Sequence, residues 1–541
     1  MTLQRRAPFG SSRWYRAGLA AVVVTGVLLS VSGSSARAST NTSPAQGARK
    51  SPVVATSDGA VQGLTTGSTT EFLGIPYAAP PVGPLRWEPP QPAATWSGVL
   101  AATQFAQNCA QPASPFGVAS TSENCLYLNV YAPSGRTGAA AKLPVMVWIH
   151  GGALDWGESN DYDPAGLVAH GVVVVTINYR LGALGFLANA ALASGPGGPS
   201  GDYGLMDQQA ALRWVQSNIA HFGGDAGKVT LFGESAGGLS VLSQLASPGA
   251  KGLFSRAIVE SGTYALTTTP LATAEAAGES FATAAGCADQ SATCLRSLPV
   301  GAILAAQNPA GYDPNVDSDV LPESLGTAFA TGAFNHMPVI DGTNGDERRL
   351  FVGLYQLAGS TVTAANYEST LASRFAITPA AAAVVALHYP LSAYPSAPLA
   401  YAAAWTDESF SCPALTLDQS LSKYVATYAY EFNDQNAPER YLAPVGFPYG
   451  AAHESEVQYL FSLSNTAFPG TLSSAQVKLA STMKTSWTNF AKGANPSSPG
   501  GAHWSRFTPT GEQMWSLDTP SPKVATTFAT EHQCAFWSQQ S

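Results

Sequence analysis

The chain has 541 residues, enough for one large domain or for two or three domains of average size. Only 11% of the residues are charged, while 52 are glycine and 38 are proline, which is typical of a packed, loop-rich globular protein and unlike a disordered chain. The formal net charge is -9 and no basic block follows the N-terminus, which argues against nucleic acid as a partner.

The N-terminus has the pattern of an export signal. Four arginines precede or flank the start of an apolar run at residues 17–31, and residues 36–38 are Ala-Arg-Ala, a small-residue cleavage site. We therefore predict a signal peptide over residues 1–38, cleaved near Ala38, then a flexible leader at residues 39–50 and a secreted protein without a stable membrane anchor. The apolar run is short for a membrane span, so an uncleaved anchor is the lesser alternative, and the export route stays open.

Strand patterns begin soon after the leader. Residues 52–66 alternate around a turn, which predicts a small hairpin. Residues 72–87 are rich in proline, which favours an ordered surface loop over a helix or a central strand. Two uninterrupted apolar runs, at residues 145–149 and 172–177, are typical of parallel strands that are buried on both faces.

A helix is predicted before the next strand. Leu212, Val215, Ile219 and Phe222 recur at spacings of 3, 4 and 3, which places them on one face of a helix. The order of strand, helix and strand then implies a right-handed βαβ crossover.

The strand after this helix ends in a serine motif. Residues 229–232 are apolar, and Gly233, Ser235 and Gly237 follow in the pattern G-x-S-x-G. So tight a strand-to-helix turn strains the central backbone and pushes the serine side chain outward, while the glycines leave the space that a Cβ would fill. The pattern is typical of a nucleophile elbow. A tight structural turn is the alternative.

Residues 232–238, Phe-Gly-Glu-Ser-Ala-Gly-Gly, resemble the type-B carboxylesterase/lipase family, the cholinesterase-like α/β-hydrolases. The resemblance implies an α/β-hydrolase fold, with a mostly parallel central sheet, helices on both faces and helical cap insertions. It covers nearly all of the mature chain, so we predict a single catalytic domain over residues 51–541. The Ala-rich segments at about residues 265–335 and 355–425 are predicted to be the cap insertions.

The later part of the chain continues the same alternation. Further short strands are expected at residues 256–259, 338–341 and 426–432, and a late helix at about residues 475–490.

A nucleophilic serine needs a base to take its proton and an acid to hold that base, and α/β-hydrolases supply them in the order serine, acid, histidine. His453 lies in a loop that resembles the family's histidine loop and is the predicted base, although a lone loop histidine is often only a solvated side chain. Residues 344–347, Asn-Gly-Asp-Glu, match the family's acid motif, which makes Glu347 the predicted acid and Asp346 the runner-up. Arg348 stands where the family usually has glycine.

An oxyanion needs two or three N–H donors. One is expected from Ala236, the residue after the nucleophile. Small residues follow the strand at 145–149 and let the backbone approach a substrate, and the resemblance assigns the other donors to Gly152 and Ala153. A simple glycine turn is the alternative there, and His150 is taken as structural.

The resemblance carries weaker assignments as well. Glu234 and Ser261 match family positions beside the triad, where tuning of the site and ordinary hydrogen-bonded structure are about equal alternatives. Arg86 and Glu123 lie in two other family-like stretches and are expected to form a structural salt bridge.

The six cysteines suit an oxidising compartment, and by themselves they permit fifteen pairings. Secreted members of the family carry three bridges, and the resemblance pairs the cysteines in chain order. The implied disulfides are Cys109–Cys125, Cys287–Cys294 and Cys412–Cys534, with a role in stability rather than in catalysis.

Together these patterns predict a secreted serine carboxylesterase that hydrolyses small-molecule esters through an acyl-enzyme. No cofactor is expected, and the sequence has no metal-ligand spacing or phosphate-binding loop. A lipase acting on long acyl chains is one alternative and a non-catalytic binding protein of the same fold is the other. A cholinesterase is disfavoured because the segment between Cys109 and Cys125 has no tryptophan to stack on a quaternary ammonium. The natural ester and the oligomeric state are not predicted.

Overall fold

The structure of the protein is a computed structural model. It describes residues 51–193, 200–308, 311–316, 319–498 and 503–540. The predicted signal peptide and leader therefore lie outside the described residues.

A central sheet of eleven strands organises the fold. In chain order the strands are β1 (Leu64–Thr66), β2 (Thr69–Pro76), β3 (Tyr127–Pro133), β4 (Leu143–Ile149), β5 (Val173–Ile177), β6 (Gly224–Glu234), β7 (Arg256–Glu260), β8 (Val339–Asn344), β9 (Thr427–Phe432), β10 (Met514–Leu517) and β11 (Lys523–Ala525). Across the sheet the order is β11-β10-β9-β8-β7-β6-β4-β5-β3-β2-β1. The strands from β10 to β5 are parallel, and the strands at the two ends pair antiparallel.

Helices fill the connections between the strands. Those of the described ranges are α1 (Ala165–Val168), α2 (Gly182–Phe186), α3 (Tyr203–Asn218), α4 (Ala236–Ala246), α5 (Leu271–Ala284), α6 (Ala292–Ser297), α7 (Val300–Ala306), α8 (Leu325–Thr331), α9 (Arg348–Leu357), α10 (Tyr367–Phe375), α11 (Pro379–His388), α12 (Ala397–Thr406), α13 (Cys412–Leu421), α14 (Val457–Leu460), α15 (Ser474–Gly493), α16 (Phe528–Glu531) and α17 (Cys534–Trp537). A π-helical segment, Asp407–Ser411, joins α12 to α13.

Both faces of the sheet are buried, as the apolar run of β4 illustrates. Val145, Val147 and Ile149 belong to the core that includes α3 and α4, whereas Met146 and Trp148 belong to the core that includes α15. Successive side chains of a strand point to opposite faces, so a strand covered on both sides is apolar throughout. The expected α/β architecture, with a mostly parallel sheet and helices on both faces, is confirmed.

The predicted strands are present. The early hairpin consists of Val53–Ala55 paired antiparallel with Ala60–Gln62. The other strand predictions correspond to β4, β5, β7, β8 and β9, and the late helix corresponds to α15.

One local prediction is wrong. Residues 72–76 do not lie in a surface loop but form the end of β2, the second strand from one edge of the sheet. Phe72 and Ile75 are fully buried there, and the pairing with β3 shifts between them, at Gly74. Pro76 is the last residue of the strand, a position where proline is tolerated. The prolines thus end the strand rather than excluding it.

The two Ala-rich segments predicted to be cap insertions are mostly helical. The first contains α5 to α8, and the second contains α10 to α13. However, α13 packs against β8 and β9, so part of the second segment covers the sheet itself.

Three disulfides cross-link the described residues, with the pairing that the resemblance implies. Their Cα–Cα distances are 4.9, 5.6 and 5.2 Å for Cys109–Cys125, Cys287–Cys294 and Cys412–Cys534, within the ordinary range. The expected salt bridge is also confirmed, since Arg86 donates two hydrogen bonds of 2.6 Å to Glu123.

A buried ion network fastens the C-terminal segment to the sheet. His532 lies between two carboxylates, with Nδ1 2.6 Å from Asp407 Oδ1 and Nε2 2.6 Å from Glu431 Oε1. Burial alone would lower the pKa of His532, but the two carboxylates outweigh it and raise that pKa well above its ordinary value. The imidazolium therefore joins the π-helical segment, through Asp407, to β9, through Glu431.

His532→Ala should lower the free energy of unfolding by about 3–5 kcal/mol, because it leaves two buried carboxylates without their cation. The folded-state pKa of His532 is raised, so this stabilisation is fully present below about pH 6.5 and is lost as the pH rises through the raised pKa. Urea unfolding of the disulfide-intact protein at several pH values measures both effects. The matched control is His221→Ala, at an exposed histidine; equal losses in the two variants would contradict the assigned role of the network.

Candidate active site

Ser235 occupies the turn between β6 and α4. Its backbone has φ +56° and ψ -121°, a conformation that residues other than glycine rarely adopt. Gly237 permits the turn, since a Cβ there would lie 2.0 Å from the Ile149 carbonyl oxygen. The Ser235 N–H donates to the Glu260 carbonyl at 2.8 Å, which ties the turn to β7. The strand, turn and helix that the G-x-S-x-G pattern predicts are all present.

Three side chains from distant parts of the chain form a continuous line of hydrogen bonds. His453 Nε2 lies 2.7 Å from Ser235 Oγ, and His453 Nδ1 lies 2.5 Å from Glu347 Oε2. All three residues are buried. In this arrangement the Nδ1 proton is donated to Glu347, and Nε2 is left to accept the serine proton.

Glu347 is also held by its own loop. Its Oε1 accepts hydrogen bonds from Thr343 Oγ1 at 2.7 Å and from the Asn344 N–H at 2.8 Å. Burial would raise the pKa of Glu347, but His453, the Asn344 N–H and the Ser261 hydroxyl outweigh it and lower that pKa from its ordinary value. Glu347 is therefore an anion next to the imidazole at neutral pH.

Asp346, the runner-up for the acid, is engaged elsewhere. Its carboxylate lies 2.7 Å from Arg349 and accepts hydrogen bonds from the Gln435 side chain and the Ala451 N–H. The structure brings Glu347, and not Asp346, against His453.

Two phenylalanines flank the imidazole of His453. The ring centroids of Phe351 and Phe410 lie 5.2 and 5.1 Å from that of His453. Neither residue is predicted by the sequence motifs. Phe351 follows Glu347 by four positions, one helical turn, and could have been expected from that spacing. Phe410 comes from the π-helical segment, and no local pattern identifies it.

The loop after β4 lies beside the nucleophile. Gly152 and Ala153 line the same cavity as Ser235, and both have left-handed backbones, with φ +99° and +55°. A Cβ on Gly152 would lie 2.2 Å from the Trp156 carbonyl oxygen, so only glycine fits. Ala236 is the first residue of α4, where the helix leaves N–H groups without internal partners. The three predicted oxyanion donors are therefore close to Ser235 in space or in sequence.

His150 has the environment of a structural residue. Its ring stacks on Tyr179 with 4.6 Å between centroids, and its Nδ1 lies 2.9 Å from the Gly151 carbonyl oxygen. Burial lowers the pKa of His150 to about 4, so the imidazole is neutral.

The two residues expected beside the triad are both buried next to it. Glu234 Oε1 lies 3.4 Å from His453 Nε2, and burial together with the neighbouring glutamates raises the pKa of Glu234 well above its ordinary value. Ser261 follows β7, and its hydroxyl is one of the groups that lower the pKa of Glu347. Burial also raises the pKa of Glu456, which shares this region, to about 8.

A cavity opens over Ser235 and His453. Its wall is mainly apolar, with aromatic side chains from several loops and helices. These are Phe116, Trp156, Tyr264, Phe351 and Phe410. Such a cavity suits an uncharged or largely apolar ligand that is held close to the serine hydroxyl.

Two charged residues belong to the cavity wall, Arg348 and Glu454. The Arg348 guanidinium lies 4.3 to 4.6 Å from the ring centroids of Phe351, Trp405 and Phe410, and its Nε donates to Ser409 Oγ at 2.8 Å. The sequence marked Arg348 only as a departure from a family motif. Its place in the wall depends on packing that the motif does not describe.

Two further features of the described ranges concern metal binding and membrane spans. No group of three or more histidine, cysteine, aspartate or glutamate side chains there could hold a metal ion. No single helix there is long and apolar enough to cross a membrane. One pair of helices, Tyr367–Phe375 and Pro379–Ala393, reaches that length and apolar composition only when the two are taken together, and the pair is bent by 111°.

Comparisons with known proteins agree with this geometry. Residues 50–537 match the carboxylesterase family. The chain is 36% identical to fumonisin B1 esterase of Sphingopyxis macrogoltabida, with 85% of each chain covered. It is 35% identical to para-nitrobenzyl esterase of Bacillus subtilis, covering 82% of this chain and 90% of that one. A solved structure of PNB esterase superposes with a TM-score of 0.75 at 31% identity, covering 90% of this chain and 99% of that one.

Ser235 should react with a fluorophosphonate, forming a bond from Oγ to phosphorus with loss of fluoride, because His453 is placed to take the serine proton. Intact-protein mass spectrometry should find one label per chain in the wild type and none in Ser235→Ala. His453→Gln should slow labelling by a factor on the order of 10² or more. The control is His336→Gln, outside the cavity; slowing of labelling by both histidine variants alike would refute the assignment of the base.

Proposed function

The chain belongs to the carboxylesterase family and is a carboxylic ester hydrolase, and we propose that it is a secreted serine esterase that acts through an acyl-enzyme on Ser235. The observation that carries the mechanism is the pair of hydrogen bonds from Ser235 Oγ to His453 and from His453 to Glu347, at 2.7 and 2.5 Å. No cofactor takes part in the proposed reaction.

The first half of the reaction forms the acyl-enzyme. Ser235 Oγ attacks the ester carbonyl carbon while its proton passes to His453 Nε2, and the Glu347 carboxylate stabilises the imidazolium. The carbonyl oxygen becomes an oxyanion that accepts hydrogen bonds from the N–H groups of Gly152, Ala153 and Ala236. The bond to the alkoxy oxygen then breaks, and the alcohol leaves with the proton from His453.

Deacylation repeats these steps with water. His453 takes a proton from a water molecule, whose oxygen attacks the acyl carbonyl carbon. The second tetrahedral intermediate collapses, the proton returns to Ser235 Oγ, and the carboxylic acid is released. The low pKa of Glu347 supports this scheme, since the acid must stay ionised while the histidine charges and discharges.

We propose small-molecule esters as substrates. The cavity over Ser235 is largely aromatic, and relatives are named as esterases of fumonisin B1 and of cocaine. Three disulfides are compatible with secretion, which we attribute to the signal peptide proposed for residues 1–38.

Hydrolysis of p-nitrophenyl esters should peak at short acyl chains, since aromatic side chains surround the space next to Ser235. Initial rates from acetate to palmitate, with Ser235→Ala as the blank, measure this. A peak at palmitate that rises above the micellar threshold would replace the short-chain assignment with a lipase. Activity in Ser235→Ala equal to that of the wild type would refute the nucleophile.

Glu347→Gln should lower kcat on p-nitrophenyl acetate by a factor on the order of 10³ or more, because a neutral amide no longer stabilises the imidazolium. Asp346→Asn is the matched control, one residue away and bound to Arg349 instead. It should change kcat by less than about tenfold. A larger loss in Asp346→Asn than in Glu347→Gln would transfer the role of the acid to Asp346.

A further inference from the structure

Glu454 follows the proposed base in sequence and lines the cavity, yet no step of ester hydrolysis uses it. Its Oε2 is buried and has no hydrogen-bond partner among the described residues. A buried carboxyl oxygen without a partner costs free energy. Glu454 therefore combines a place on the cavity wall with one carboxyl oxygen that the described residues leave without a hydrogen bond.

The backbone at Glu454 is also unusual. Its φ is +69°, a left-handed conformation that glycine adopts freely and glutamate rarely. Strained residues of this kind concentrate at sites where the side chain or the backbone path is used. A glycine would allow the same backbone path after His453 without strain. The presence of a carboxyl group at this position therefore needs a separate explanation.

The surroundings of Glu454 are strongly acidic. Burial, followed by the nearby Glu439, Glu456 and Asp161, raises the pKa of Glu454 well above its ordinary value. A positive charge bound in the cavity would lower that pKa and favour the ionised carboxylate of Glu454. The aromatic rings of the wall also attract a positive charge through their faces.

Arg348 is the cationic residue of the cavity wall, and it does not completely offset the preference of the cavity for a positively charged ligand. Its guanidinium lies among three aromatic rings and donates to Ser409. A ligand ammonium can therefore approach Glu454 while Arg348 stays where it packs.

We propose that Glu454 is a specificity-determining residue that binds a protonated amine carried by the ester substrate. Binding of the ammonium would favour the ionised form of Glu454, whose proton passes to solvent, and an ammonium N–H would donate a charge-assisted hydrogen bond to the carboxylate while Ser235 attacks the ester carbonyl carbon. The inference rests on the proposed esterase function, and it names the class of ester: one with a basic amine in its alcohol or acyl part.

Matched ester pairs test this inference. In 2-(dimethylamino)ethyl butyrate and 3-methylbutyl butyrate the alcohol part differs by nitrogen in place of carbon, and ethyl 4-aminobutanoate and ethyl pentanoate form the corresponding acyl pair. At neutral pH, at least one pair should show a kcat/KM ratio of amine to neutral ester of about ten or more. Ratios at or below one in both pairs, or a preference for the anionic 3-carboxypropyl butyrate, would overturn the proposal and point to Arg348.

Variants of Glu454 assign the ratio to its carboxyl group. Glu454→Gln removes the ionisable group at nearly constant volume, and Glu454→Gly removes the side chain while relieving the backbone strain, so its thermal midpoint should not fall. Both should reduce the amine-to-neutral ratio by about tenfold or more. Glu456→Gln is the matched control in the same loop, and its ratio should stay within about threefold of the wild type. An unchanged ratio in Glu454→Gln refutes the proposal.

Binding separates this inference from the esterase function. Titration calorimetry with Ser235→Ala should show tighter binding of the amine ester than of its neutral partner, and the difference should vanish in Ser235→Ala/Glu454→Gln. Failure of turnover with a preserved binding difference would reject the mechanism and keep the Glu454 site. Turnover of neutral esters without any binding difference would keep the mechanism and reject the Glu454 site.

Discussion

The hydrogen bond between His453 and Ser235 joins residues that are 218 positions apart, and the geometry of the whole site depends on it. Ser235 is placed by the turn after β6, and Glu347 by the turn after β8, two strands along the same parallel sheet. Parallel strands end at one edge, so their following loops meet there. The loop after β9 then carries His453 between the two. The sheet order thus determines the distances, and the strained turn at Ser235 determines the direction of the hydroxyl.

Around this line of hydrogen bonds lies a group of buried carboxyl groups whose pKa values are raised, among them Glu234, Glu260 and Glu456. If all were ionised, their mutual repulsion in a medium of low dielectric would be severe. Glu347 alone has its pKa lowered, because it faces the imidazole and accepts hydrogen bonds from its own loop. Within this group the negative charge is therefore favoured on Glu347, the carboxylate that we propose to stabilise a positive His453.

The sequence predicts those parts of the protein that local rules control. Apolar runs predict buried strands, and the G-x-S-x-G pattern predicts the turn that holds Ser235, because strand burial and glycine requirements are read from neighbouring residues. The strand at Thr69–Pro76 is missed, because the sequence alone does not show that Pro76 is the last residue of the strand. Phe410 and the wall position of Arg348 depend on how distant helices pack. The disulfide pairing follows only from resemblance, because spacing leaves fifteen possibilities open.

Backbone strain is also present around the site, which holds five of the twelve non-glycine residues with positive φ in the described ranges. Among the described residues, Ala153, Leu154, Ser235, Ser261 and Glu454 all have left-handed backbones without being glycine. Each costs free energy that glycine would avoid, and the surrounding packed core must hold them in place. At Ser235 the turn presents the hydroxyl to the cavity, and at Ala153 it positions the N–H group that we propose as an oxyanion donor. At Glu454 the backbone N–H and carbonyl take part in no proposed catalytic step, so the backbone conformation has no catalytic use of its own. The strain there accompanies a carboxyl group on the cavity wall, the group that the proposed amine contact uses.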